Sequence, residues 1–226
     1  MKEKILGAAA LAIALAASPG SAESDAQLWT AMLANGPVSD NGSFLLWFDG
    51  HARFRDDAGD LGVTILRPGV GWKVADDLSL WAGYARVVAR RENAPDLEEN
   101  RFWQQATYPV AELFGGRITG RTRLEQRNVN LGDDTGHRVR QFLRYDRRFD
   151  SSALSAIVWK EVFVGFNATD WGALSGYDQS RSFAGVGIHP NKRLRVEGGY
   201  MFNHIRRADA EDASNHAALF AIAFAL

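Results

Sequence analysis

Between Arg117 and Arg127 the chain alternates between two kinds of residue. Arg117, Arg121, Arg123, Glu125 and Arg127 are charged and Thr119 is the exception, while Ile118, Gly120, Thr122, Leu124 and Gln126 between them carry no charge. Successive side chains of a strand point to opposite faces, so this period of two predicts a strand with one charged face. The stretch from Arg193 to Asn203 does the same. Arg193, Arg195, Glu197, Gly199, Met201 and Asn203 share one face, and Leu194, Val196, Gly198, Tyr200 and Phe202 share the other. Two long strands that each dedicate a face to charge cannot bury both faces in an ordinary apolar core.

Eleven such runs are readable: 27–34, 43–55, 62–74, 78–90, 100–109, 116–128, 137–148, 153–166, 180–189, 193–205 and 215–226. Several exceed the five or six residues typical of soluble strands and match the 9–11 that a tilted membrane strand needs. No amphipathic helix of comparable length competes. Connections alternate between short (75–77, 149–152, 189–192) and long, polar ones (91–99, 167–179, 206–214). Short turns at one end and longer loops at the other are the habit of outer-membrane barrels, which turn their apolar face to lipid and their polar face inward. Lipid forbids a free sheet edge, so the sheet must close. A β-sandwich with irregular loops is the competing architecture.

Residues 1–22, MKEKILGAAALAIALAASPGSA, have a lysine-bearing start, an apolar run of 13 residues from Ile5 to Ala17, and Gly20-Ser21-Ala22 after Pro19. This is the pattern of a secretory signal cut after Ala22, too short for a membrane helix. The expected organisation is therefore a signal at 1–22 and one barrel domain at 23–226. Removing the signal takes away two lysines and one glutamate, which leaves a charge of −2 against −1 for the whole chain. That balance, with export, argues against nucleic acid as a partner. The chain has no cysteine, which excludes disulfides, thiolate zinc sites, iron–sulfur ligation and a cysteine nucleophile. The terminal AALFAIAFAL places Phe220, Ile222, Phe224 and Leu226 on one face, suited to a closing strand that barrel-assembly machinery would recognise.

The motif order resembles the bacterial family of domain-of-unknown-function 2490, predicted outer-membrane barrels. The matching pieces are Gln27-Leu28-Trp29-Thr30, Trp81-Ala82-Gly83-Tyr84-Ala85-Arg86, Glu99-Asn100-Arg101, Arg121 to Arg127, and Glu161-Val162-Phe163. Asp178-Gln179-Ser180-Arg181, Gly198-Gly199-Tyr200-Met201 and Asn215-His216 follow. The resemblance implies fold and location, and carries no reaction.

Parity then names an interior. Asp49, His51, Arg53, Arg67, Tyr84, Arg86, Glu99, Arg101, Arg121, Arg123, Glu125, Arg140, Arg144, Asp146, Glu161, Arg181, Arg195 and Glu197 are expected inside. Glu125, Glu161 and Glu197 are the expected partners of Arg121, Arg123, Arg181 and Arg195. Arginine offers planar, permanently charged, multidentate donors, which suit a salt-bridged plug or an anion path. Trp72 and Trp81, on either side of the 75–77 turn, are expected in an outer aromatic girdle.

Bacterial barrels have even strand numbers because both ends face the periplasm. Eleven runs therefore imply ten strands, with 27–34 in the lumen or along one end, or twelve, with a strand hidden in 167–179. The expectation is a single antiparallel transmembrane β-barrel of about 10–12 strands, monomeric and surrounded by outer-membrane lipid, with a braced interior and a structural or envelope-associated role. A small diffusion channel for small solutes, anions included, is the first alternative. A lipid-modifying barrel enzyme is the second, with Ser180 or Ser182 beside His189, or His204 with His216, as its imaginable pairs. No hydrolase elbow, metalloprotease helix or phosphate loop is present, and His51, His137, His189, His204 and His216 lack metal-ligand spacing. No catalytic, metal or cofactor residues are assigned.

Overall fold

Eleven β-strands and no helix occupy the described residues, 26–150, 153–207 and 210–226, of the computed structural model. They are β1 (Ala26–Pro37), β2 (Phe44–Arg55), β3 (Asp60–Ala75), β4 (Leu78–Ala89), β5 (Leu97–Leu113), β6 (Gly116–Val129), β7 (Gly136–Arg148), β8 (Leu154–Gly165), β9 (Gly176–Ile188), β10 (Leu194–Ile205) and β11 (Ala213–Ala225). The expected signal at 1–22 lies outside the described residues.

Every strand pairs with its sequence neighbours, and β1 pairs with β11, so the sheet is a closed barrel. Closure satisfies every edge without help from solvent. The strand number falls within the expected 10–12, but the expected even count does not hold. Segment 27–34 is in the wall, 167–179 contains no twelfth strand, and the ring closes with eleven. Alternating directions cannot close on an odd number, so one pair must run parallel. That pair is β1 and β11, in register from Ala26↔His216 to Asn35↔Ala225, while all other pairs are antiparallel.

Odd-numbered strands run toward an end with mostly tight connections. These include 76–77 and the two-residue turn Phe114-Gly115, where both residues adopt positive φ (50° and 72°), as the favoured hairpin turns require. The opposite end carries longer loops such as 90–96 and 166–175. Below, these are the turn end and the loop end. Four irregularities break the ladders, at Arg53/Phe54, Lys73/Ala75, Pro109/Ala111 and Phe163/Val164. Pro109 sits at one of them because it has no N–H to give the ladder. The bulge lets β5 continue to Leu113, past the expected end at 109.

Odd positions of most strands point inward and even ones outward; β7 is reversed, with Arg138, Arg140, Phe142 and Arg144 inward. The outer wall is largely apolar: Leu66, Trp72, Phe102, Val186 and Phe220 are each more than half exposed. Inside are two apolar clusters. Leu45, Trp47, Trp81, Ala85 and Trp103 form one, and Trp29, Ile157, Phe183, Met201 and Ala217 form the other. In the first, the Trp103 ring lies against the backbones of Gly69 and Gly83, where any Cβ would collide with it. Glycine there lets a large ring lie flat on the wall.

Candidate functional site: the charged interior

The charged face of β6 folds inward, and the strands beside it supply its counter-charges. Glu125, fully buried, accepts from Arg140 Nη1 at 2.6 Å and from Arg138 Nη2 at 2.7 Å. Arg140 also reaches Glu161 at 2.8 Å, and Arg121 donates to the same Glu161 oxygen at 2.8 Å. Arg181 approaches the other Glu161 oxygen at 3.9 Å. Two carboxylates thus tie four guanidiniums together, from β6, β7 and β9, in a form that suits the planar multi-donor fork.

Smaller knots lie on either side. Toward the loop end, Glu99 holds Arg101 at 2.6 Å and also Arg127, and Arg138 adds Asp178 at 2.8 Å. Toward the turn end, Arg144 on β7 reaches Glu197 on β10 at 2.8 Å, past two intervening strands, and Glu197 also forms an ion pair with Arg195 at 2.5 Å. Asp146 bridges the same two arginines at 2.9 and 3.6 Å. On the opposite wall Asp49 receives Arg67 at 3.0 Å, Trp47 Nε1 at 2.6 Å and His51 at 3.0 Å.

Eleven arginines (53, 67, 101, 121, 123, 127, 138, 140, 144, 181 and 195) thus crowd the middle of the barrel, and nine of them share seven carboxylates (49, 99, 125, 146, 161, 178 and 197). Arg53 and Arg123 have no carboxylate partner among the described residues. Arg123 is fully buried, donates to Gln105 at 2.8 Å, and leaves both terminal nitrogens without a partner. It rests over the Trp103 ring at 4.5 Å and faces Trp47, on β2 across the lumen, at 5.6 Å. Arg53 lies 3.8 Å over the Trp29 ring, with Arg181 5.1 Å from the same ring. Such cation–π contacts suit desolvated guanidinium groups.

Three cavities follow the axis. About 930 Å³ opens at the turn end, about 480 Å³ at the loop end, and a smaller space of about 170 Å³ lies between them. Trp29, Arg53, Arg67, Arg140 and Arg181 border both the small space and the loop-end cavity. Leu33, Trp47, Arg121, Phe142, Arg144 and Arg195 border both the small space and the turn-end cavity.

The structure turns inward Arg53, Arg67, Glu99, Arg101, Arg121, Arg123, Glu125, Arg140, Arg144, Glu161, Arg181, Arg195 and Glu197. It corrects two expectations on β4. Arg86 and Tyr84 lie on the outer wall, where they meet Asn100, and Arg86 also pairs with Glu98. The inward face of this strand is Trp81, Ala85 and Val87 instead. Trp81 therefore belongs to the interior and not to a girdle. In the β3–β4 hairpin Trp72 pairs with Leu80, and residue 81, one further on, must face the other way. Trp72 is on the outside, 54% exposed. Arg123 also departs from the expected pairing, because Glu125 is taken by Arg138 and Arg140.

Arg127 and Arg138, which share the parity of their inward neighbours, join the network as well. Asp178 was not readable, since the bulge at Phe163/Val164 is what brings it inside. The imagined serine–histidine pairs do not form. Ser182 meets Lys160, Ser180 meets Tyr177, His216 bonds Tyr200 and His204 approaches Asp212. His189 does meet a serine, Ser155, at 3.1 Å, but that side chain is completely buried.

Residues 26–215 match the family described as "Protein of unknown function (DUF2490)". The chain belongs to this family. It is 36% identical over 188 residues to an uncharacterized protein of Methylorubrum extorquens, covering 82% of this chain and 81% of that one. Among solved structures, the siderophore receptor PirA from Pseudomonas aeruginosa aligns at 14% identity with a TM-score of 0.29, over 80% of this chain. The aligned part is 34% of that receptor, so this chain spans about a third of its length.

Proposed function

We propose that this barrel spans the bacterial outer membrane and that its charged interior braces it shut, giving it a structural, envelope-associated role. The observation that carries the reading is the inversion of the wall. Arg123, Glu125, Arg140 and Glu161 are buried inside, while Leu66, Phe102, Val186 and Phe220 are exposed outside, on a sheet with no free edge. Water rewards the opposite arrangement and hydrocarbon rewards this one. The turn end, where β11 finishes, faces the periplasm in this reading. Lipid is the principal partner, β11 is the strand that assembly machinery receives, and the barrel works as a monomer.

Arg123 meeting Trp47 across the lumen and Arg144 meeting Glu197 past two strands support bracing over free passage. Long side chains from facing walls fill a barrel only modestly wider than eight strands. A second reading, a small diffusion channel for anions, draws support from the arginines that border the small central space on both sides. Membrane fractionation with heat-modifiable gel mobility tests the location, and recovery as soluble material overturns it. Planar-bilayer recording tests the bracing: the expected trace is silent, and a large steady conductance selects the channel.

A further inference from the structure

The small central space has two unlike walls. One is apolar, three alanines and two leucines where β1 and β11 meet: Ala31, Leu33, Leu219, Ala221 and Ala223. The other is charged: seven guanidiniums outnumber Asp49, Glu161 and Glu197, with Arg53, Arg67 and Arg181 nearest the loop end. Asp49 serves Arg67, and Arg181 has only a distant share in Glu161, at 3.9 Å. Among the described residues Arg53 has an aromatic ring and no carboxylate, and its Nε is buried without a partner. Arg67, 4% exposed, likewise has a buried Nε with no partner. Buried donors without acceptors are costly, and uncompensated positive charge beside an apolar wall attracts an anion that brings apolar surface with it.

We infer that this space is a binding site for a small amphiphilic carboxylate, its carboxyl at Arg53 and its chain against the alanines of β1 and β11. The volume, about 170 Å³, is roughly that of five or six waters at about 30 Å³ each, which suits a chain of about six carbons. The carboxylate supplies the acceptor that Arg53 lacks. The chain displaces water from a wall that offers it no hydrogen bonds, a gain that scales with the apolar area covered. This site is independent of the membrane reading, because the space lies inside the barrel whatever surrounds it.

The test uses the full-length chain in phospholipid nanodiscs, with sodium hexanoate as probe and empty discs subtracted. Titration calorimetry and the melting temperature should both report hexanoate binding, with acetate and hexan-1-ol at least tenfold weaker. Arg53→Met should weaken hexanoate at least tenfold. Ala221→Leu, which fills the apolar side and leaves every charge in place, should weaken it similarly, so the outcome does not hang on one variant that folds badly. No hexanoate binding at 10 mM, or unchanged binding in both variants, overturns the site. Acetate or inorganic phosphate binding as tightly as hexanoate overturns its amphiphilic character. Loss of the membrane location would show in fractionation alone and leaves these titrations interpretable.

Discussion

The inner face of β5 to β8 and the inner face of β10, β11 and β1 are built on the same hydrogen-bonded wall and filled in opposite ways. The first carries charge at most inward positions of β6 and β7, flanked by Glu99 and Arg101 on β5 and Glu161 on β8, and Glu99, Glu125 and Glu161 are each shared between at least two arginines. The second is mostly alanine, leucine, methionine and tryptophan, with Met201 and Ala217 completely or nearly completely buried. The difference teaches that the wall itself does not decide what fills the barrel. A charge-rich arc is tolerable where each ion has fixed partners, and an apolar arc leaves room where its side chains are small.

The largest expected effect breaks the charged arc. Glu125→Ala strands Arg138 and Arg140 with one carboxylate partner each, Asp178 and Glu161, and should destabilise the barrel by about 3–5 kcal/mol. Urea unfolding in detergent measures it, and an unchanged midpoint would show that water in the lumen already screens those charges. Next comes the apolar arc. Met201→Ala empties a fully buried position against Trp29 and Phe183 and should cost about 2–4 kcal/mol. If it proves neutral, that arc is loosely packed and the contrast between the two arcs weakens.

A third test addresses the opposite face of the charged strand. Leu124 points outward between Arg123 and Glu125. Leu124→Arg should cost about 2–4 kcal/mol near the bilayer midplane, and spin labels at 122 and 124 should report lipid. Water at both positions would mean that the polar and apolar faces have been assigned to the wrong solvents. Arg86→Ala, on the outer wall of β4, should cost at most about 1 kcal/mol, in contrast to the inward arginines. A loss as large as that of Glu125→Ala would place Arg86 in a buried contact.

The smallest effect concerns acid. His189, at the β9–β10 turn, is held below the usual histidine range by burial and by Arg148 and Arg195. A group with a lowered folded pKa binds its proton more readily when unfolded, so stability should fall slightly as pH drops below about 6.5. His189→Asn should remove its share of that slope in melting curves between pH 7 and 5.

Strand positions and most inward arginines were legible because an alternating charged face is a local signal: Arg121, Arg123 and Glu125 announce their own parity. β4 departs from its expected parity for the same reason. Its polar residues, Tyr84 and Arg86, look like an inward face, yet the glycines of β3 leave space for Trp81 and Trp103, and the aromatic cluster claims the interior. Partner choice was not legible. Glu125 pairs with Arg138 through cross-strand register, which no single strand records. The parallel pairing of β1 with β11 was hidden for a related reason. It is a property of the ring as a whole, and the alternating pattern of 27–34 alone does not say which neighbours that strand will find.

The parallel seam sets the order in which the ring can be completed. Antiparallel neighbours meet through short connections, whereas Ala26 and His216 pair across about 190 residues of chain, so the entropy of that closure is the largest in the molecule. Parallel ladders are also slightly weaker per residue than antiparallel ones. The same seam would be the last to zip and the first to part. Because its strands run side by side in one direction, the start of β1 and the finish of β11 emerge at opposite mouths. A linker joining them would have to run the full length of the barrel, so rearrangements that relocate the chain ends should fail here although they succeed in rings of even number.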